Sequence, residues 1–160
     1  RMGADRPKQY LELAGRSVLE HTLARLLDEP RIAGIVVALA VDDDYGRTLI
    51  ARAGPRVSAT VGGTERCHSV LNGLDALPGS AADDWVLVHD AARPCLRRAD
   101  LACLIDTLAA DPCGGILAVP VRDTLKRCAS DGRIEHTVDR NQLWHALTPQ
   151  MFRLRVLREA

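Results

Sequence analysis

A chain of 160 residues is long enough for one domain with a substantial core, and a hydrophobic content of 47% excludes a disordered polypeptide. Lys plus Arg balances Asp plus Glu at 21 each, which excludes a protein that grips nucleic acid by bulk positive charge. No apolar run is long enough to span a membrane, and no segment has the make-up of a secretory signal.

The first predicted element is a helix. Ser17 followed by Glu20 forms a capping-box pattern, and Val18, Leu19, Leu23, Leu26 and Leu27 then recur at helical spacing until Pro30. Gly34 to Ala40 is a short apolar run rich in β-branched residues and predicts a buried strand. The acidic loop Asp42-Asp43-Asp44 leads to a weaker helix over Arg47 to Ala53. Val57 to Val61 predicts a strand, Gly62-Gly63 breaks it, and Glu65 to Leu77 predicts a helix with Val70, Leu71, Leu74 and Leu77 inward. Trp85 to His89 is the clearest strand. Asp100 is placed to cap a helix through Ala110, and Gly115 to Val121 predicts a strand that Pro120 ends or confines to an edge.

This alternation predicts an α/β fold with a mostly parallel sheet covered by helices on both faces. The pattern then changes. Thr124 to Cys128, a turn at Ala129 to Gly132, and Ile134 to Val138 predict a polar hairpin within an arm spanning 122–140. A lone hairpin is stable only when it packs on something else, and a second copy of the chain is the natural candidate. Aromatic residues make up only 3%, so the core relies on Leu, Val, Ile and Ala. The five cysteines (Cys67, Cys95, Cys103, Cys113, Cys128) form no Cys-x-x-Cys pair, which argues against zinc and for a reducing, cytoplasmic home.

Four segments carry candidate chemistry. Lys8, after Pro7, can hold an ammonium toward a phosphate, or it is a solvated surface lysine. Gly62-Gly63 stands between a strand and a helix, where backbone N–H groups can approach an anion; it equally suits an ordinary turn. His68 suits a helix surface. In His89-Asp90-Ala91-Ala92-Arg93-Pro94, Asp90 at a strand end offers a hard oxygen suited to Mg²⁺, and Arg93 can grip a phosphate. The alternative is an aspartate that caps a turn and an arginine that pairs with it, with His89 simply packed. The arm carries Arg122, Lys126, Arg127, Arg133 and Arg140, which suit either a solvated face or an anionic substrate. Together these describe a domain that positions two anions and offsets their charge, as nucleotidyl transfer requires.

The segments RMG (Arg1 to Gly3), PKQY (Pro7 to Tyr10), GGTERCHSV (Gly62 to Val70), VLVHDAARP (Val86 to Pro94), PVRDTLKR (Pro120 to Arg127) and HTVDRNQLWHALTPQ (His136 to Gln150) resemble the 2-C-methyl-D-erythritol 4-phosphate cytidylyltransferase family of the non-mevalonate isoprenoid pathway. The resemblance covers nearly the whole chain as a single cytidylyltransferase domain, residues 1–160. It implies a Rossmann-like fold, a homodimer joined through the arm, and transfer of CMP from CTP to methylerythritol 4-phosphate with Mg²⁺, releasing pyrophosphate.

It further implies that Arg1 and Lys8 stabilise the pentavalent phosphorus. Gly63 and Ser69 would contact the cytosine and ribose end, and Arg66 would support that loop. Asp90 would meet the ribose and the metal. Arg93, Thr124, Arg140 and Thr148 would serve the acceptor, with Thr124 and Arg140 reaching the partner subunit's site. Two departures stand out: the resemblance places a first strand and most of a glycine-rich loop before Arg1, and a segment with a second catalytic lysine after Ala160. The chain is therefore expected to be truncated at both ends, which leaves the activity of these 160 residues alone in doubt. A cytidylyltransferase for another polyol phosphate, such as ribitol 5-phosphate, shares the CTP motifs; Ala92 and the VDRNQLWHALTPQ segment favour methylerythritol. A non-catalytic nucleotide-binding or dimerisation module is the reading from another class.

Overall fold

The computed structural model describes residues 6–160. The expected Arg1 contact lies outside the described residues. A 3-10 turn at Lys8–Tyr10 leads to two short antiparallel strands, β1 (Glu12–Leu13) and β2 (Arg16–Ser17). Between them Ala14 and Gly15 both take positive φ, 50° and 78°, as a tight two-residue hairpin requires. Helix α1 (Val18–Leu27) starts on the predicted capping box. Ser17 Oγ accepts the Glu20 N–H at 3.2 Å, and the Glu20 carboxylate accepts the Ser17 N–H at 2.7 Å. The Ser17 N–H and the Ser17 hydroxyl, both donating to that carboxylate at 2.7 Å, hold the Glu20 carboxyl below its usual range.

Strands β3 (Ile35–Leu39) and β4 (Val57–Val61) pair in parallel from Ile35↔Val57 to Leu39↔Val61, joined through α2 (Asp44–Arg52). That helix begins earlier than the spacing predicts because Asp43 caps it, accepting the Gly46 N–H at 2.8 Å. Leu19, Leu23, Val37, Leu39, Leu49, Ile50 and Val57 pack with Tyr10 into one apolar cluster. This half contains the parallel crossover unit expected from the alternation of elements.

The other half departs from expectation. Helix α3 (Arg66–Asp75) packs on β3 and β4. Strands β5 (Trp85–Val88) and β6 (Gly114–Pro120) flank a strand that periodicity did not predict, β9 (Trp144–Arg153), and both run antiparallel to it. The expected mostly parallel sheet is met only in part: among the described residues β3–β4 is the parallel pair, and the other pairings are antiparallel. The fold is mixed α/β.

Pro149 hides β9 in the sequence, since proline argues against a central strand. The structure accommodates it because the ladder lapses there. Strand β5 pairs with residues 150–153, and β6 pairs with 150–152 and again with 144–146 across an irregularity between Ile116 and Ala118. Pro120 closes β6, an edge strand, as expected. Strand β5 is half-buried along its length. At its start, Trp85 lies opposite Arg153, whose guanidinium sits 3.7 Å from the indole centroid.

Helix α4 (Arg98–Leu108) packs on β6 and β9 and buries Leu101 and Leu104. Arg97, not Asp100, occupies its cap position; Asp100 lies in the first turn and accepts the Arg97 guanidinium at 2.7 Å. The predicted hairpin forms as β7 (Leu125–Cys128) and β8 (Ile134–Val138), a separate two-stranded sheet. Helix α5 (Leu154–Glu159) packs on β9 and α3.

Candidate functional site

Three of the four predicted segments lie near the carboxyl end of β3. The 3-10 turn places Lys8 on the surface and drives Tyr10 inward, 6% exposed. The Tyr10 hydroxyl donates to the Asp43 carboxylate, and its ring meets Tyr45 edge-on at 5.0 Å. Burial and the neighbouring Asp43 charge push the Tyr10 hydroxyl pKa well above its ordinary value. The aspartate that caps α2 thereby also anchors the turn that carries Lys8. A cavity of about 510 Å³ opens between this turn, the carboxyl end of β3 and Ala91, with Gln9, Leu39, Asp42 and Asp43 on its wall. That volume suits a nucleotide-sized ligand.

The glycine-rich loop closes onto the same strand end. Gly62 N–H donates to Leu39 O at 2.7 Å. A Cβ on Gly63 would lie 2.2 Å from the His68 Cβ, so glycine is required by close approach to α3. Ser69 sits inside the loop: its Oγ accepts the Gly63 N–H at 3.0 Å and lies 3.2 Å from Glu65 O. In this conformation both predicted nucleotide contacts are spent on shaping the loop. Thr64 Oγ1 lies 3.2 Å from His68 Nδ1, so His68 belongs to the helix surface and its loop.

Asp90 unites the two open readings of its segment. Its Oδ2 accepts Arg93 Nε at 2.8 Å, and its backbone carbonyl accepts the Arg93 N–H at 3.1 Å, so it is a turn residue. Its Oδ1 also faces Arg66 Nη2 at 3.4 Å across 24 residues, and its N–H reaches Thr148 Oγ1 at 3.4 Å. Arg66 from α3, Thr148 from β9, Asp90 and Arg93 thus form one cluster at the end of β5. The side chains of Arg66, Asp90 and Arg93 are 62%, 35% and 49% exposed, so these ion pairs add little stability and the carboxylate can exchange partners. His89 Nε2 lies 3.0 Å from Arg93 O, and burial lowers the imidazole pKa.

Thr124 and Arg140 are not in this cluster. They flank the base of the hairpin, where an Arg140 guanidinium N–H donates to Arg122 O at 2.6 Å. Within the hairpin Lys126 Nζ donates to Thr137 Oγ1 at 2.6 Å. Sequence reasoning passed over Asp43, Tyr10 and Thr22 as site residues. Thr22 left one signal, a hydroxyl in the middle of the apolar face of α1.

Among the described residues no group of three or more His, Cys, Asp or Glu side chains could hold a metal ion. At the end of β5, Asp90 offers one carboxylate as a hard oxygen donor. That donor set fits Mg²⁺ only as an ion shared with ligand phosphates, which is how Mg²⁺ commonly binds.

Comparison with known proteins gives a consistent result. The family model described as 2-C-methyl-D-erythritol 4-phosphate cytidylyltransferase matches residues 1–160. The protein of that name from Ectopseudomonas mendocina is 60% identical over 100% of this chain and 69% of its own length. A crystal structure of 4-diphosphocytidyl-2C-methyl-D-erythritol synthase superposes with a TM-score of 0.89 at 42% identity, over 96% of this chain and 74% of that one. The Francisella tularensis 2-C-methyl-D-erythritol 4-phosphate cytidylyltransferase gives 0.80 at 32% identity, over 94% and 68%.

Proposed function

The chain belongs to the 2-C-methyl-D-erythritol 4-phosphate cytidylyltransferase family, a nucleotidyltransferase family of isoprenoid biosynthesis, and from that premise we propose how its residues share the work. The reaction transfers CMP from CTP to 2-C-methyl-D-erythritol 4-phosphate. An acceptor phosphate oxygen attacks the α-phosphorus of CTP, the bond to the β-phosphate oxygen breaks, and pyrophosphate leaves with that electron pair. Negative charge gathers at the centre, so positioning and cations carry the catalysis.

The cavity of about 510 Å³ between the 3-10 turn, the carboxyl end of β3 and Ala91 carries this reading, with the Gly62 N–H bonded to Leu39 O at that strand end. In it CTP lies in the cavity, with Lys8 at its mouth offsetting charge on the reacting phosphates; Arg1 has the same role. Gly63, Arg66 and Ser69 hold the cytosine and ribose end. Asp90 exchanges an arginine for the ribose and for a phosphate-borne Mg²⁺, which when bound supplies charge neutralisation at the phosphates. Arg93 and Thr148 face the acceptor.

We further propose a Rossmann-like sheet that joins β3–β4 to β5–β9–β6. Helix α3, which contacts β3, β4 and α5, and α1, whose Thr22 bonds the turn after β5, support that continuity. The hairpin acts as an arm of a homodimer, bringing Thr124 and Arg140 to the acceptor phosphate in the partner subunit. Exposed Val119, Leu143 and Trp144 at the paired ends of β6 and β9 support an apolar interface beside it. Five unpaired, exposed cysteines support a reducing cytoplasmic setting, and no helix of the described residues is long and apolar enough to cross a membrane.

Turnover of CTP with methylerythritol 4-phosphate and with ribitol 5-phosphate, followed by pyrophosphate release from the full-length protein, tests the assignment. Preference for methylerythritol 4-phosphate is expected, and preference for ribitol 5-phosphate would overturn it.

A further inference from the structure

We propose that Thr22 and His89 are positioning residues for this transfer, holding the Asp90–Arg93 turn from beneath so that both side chains meet the same cleft. The proposal rests on the function above. Thr22 is a hydroxyl on the buried face of α1, 2% exposed among Leu19, Leu23 and Leu26. A helical threonine can satisfy itself on the carbonyl four residues back, and Thr22 Oγ1 does lie 3.0 Å from Val18 O. It lies equally close, 2.9 Å, to Ala91 O, 69 residues away. A valine would suit that apolar face as well; the hydroxyl is explained by the turn it supports.

His89 acts from the other end. A carbonyl oxygen only accepts, so the 3.0 Å bond to Arg93 O puts the ring proton on Nε2 and leaves Nδ1 bare. Nδ1 is buried and has no hydrogen-bond partner among the described residues, so the ring's polar contact is with the turn. Together with the Asp90 N–H to Thr148 and the Arg93 N–H to Asp90 O, three carbonyls and two amides of this short segment are tied down. The turn has small residues, Ala91 and Ala92, at its centre and little side-chain packing to shape it. Its shape comes from these backbone bonds, and a shift of about 1 Å at a reacting site costs up to about 10²-fold in rate.

The test uses the full-length protein with Thr22→Val, Thr22→Ser, His89→Ala and His89→Gln. Thr22→Val and His89→Ala should each lower kcat/KM about tenfold, the scale of one lost hydrogen bond. Thr22→Ser and His89→Gln, which keep a donor, should recover most of that loss. Amide exchange at Arg93 in the unliganded protein should quicken in the first pair and not in the second. Unchanged Arg93 exchange in Thr22→Val and His89→Ala would overturn the anchoring. Quickened exchange with unaltered kcat/KM would overturn the link to catalysis. A parent protein that transfers CMP to no polyol phosphate would sink the proposed function, while the exchange result would still decide whether these residues hold the turn.

Discussion

The Asp90 turn and the β7–β8 hairpin carry similar residues, arginines with an aspartate and a threonine near them, yet they are held in opposite ways. The turn is bonded from α1, α3 and β9, and Ala91 at its centre faces a cleft whose wall is the apolar cluster of β3 and α2. The hairpin is a separate sheet, exposed along most of its length, with Ile134 64% accessible. One region receives its geometry from the chain's own core. The other gains geometry only when something packs against it, since a two-stranded hairpin alone is marginal in water. Groups that must act on a reacting atom belong on the first kind of support; groups that grip one end of a substrate can stand on the second.

Substitutions can break this contrast. In the full-length protein Lys8→Ala, on the cleft side, should lower kcat by about 10²–10³, the scale for one transition-state donor. Unchanged turnover would remove Lys8 from the reaction. Leu19→Ala should cost about 2–5 kcal/mol in urea unfolding, because Leu19 is 1% exposed in the core, whereas Ile134→Ala on the hairpin should stay within about 0.5 kcal/mol in dilute monomer. Equal losses would mean that the hairpin belongs to the core after all. Arg140→Ala should raise the KM for the acceptor about tenfold and spare CTP affinity, as loss of one charge-assisted contact predicts. A collapse of CTP binding, read by calorimetry, would place the hairpin in the nucleotide site instead.

The smallest expected effect is pH-dependent and lies at the start of α1. Glu20 has a lowered pKa in the folded chain because Ser17 donates to it. Its contribution is therefore fully present above the unfolded value of about 4.3 and is lost as pH falls through the lower, folded value. Glu20→Gln should unfold a little earlier than the parent near neutrality, by about 0.5 kcal/mol, the low end for a weakened helix cap. The gap in Tm should close as the medium is acidified past that window. A gap that widens in acid would reverse the sign and discard the capping account.

The elements were legible where local rules decide them. Ser17 and Glu20 specified the start of α1, because a capping box is a contact three residues long. Val57–Val61 formed the strand its composition predicts, and the hairpin turned where Asp131 and Gly132 allow it. Strand β9 was not legible, because Pro149 contradicts a central strand unless the ladder lapses on both sides, and that lapse belongs to β5 and β6. Asp100 misled for a similar reason: Arg97, an unusual cap, is tied to it through a side chain that no propensity scale weighs.

The candidate site divides along the same line. The sequence alone determined which residues carry charge, which glycines stand at strand ends, and which family the motif series resembles, since these are properties of residues and their order. Tertiary structure decided that Asp90 is a turn residue and a cluster member at once, that Ser69 is turned into its own loop, and that Tyr10 on Asp43 sets the Lys8 turn. Ser69 meets its own loop within six residues, but the cluster and the two turns depend on contacts 24 to 69 positions apart, Arg66 with Asp90, Tyr10 with Asp43 and Thr22 with Ala91. A hydrogen bond over such a separation acts only after packing has brought its partners together, so no local pattern announces it.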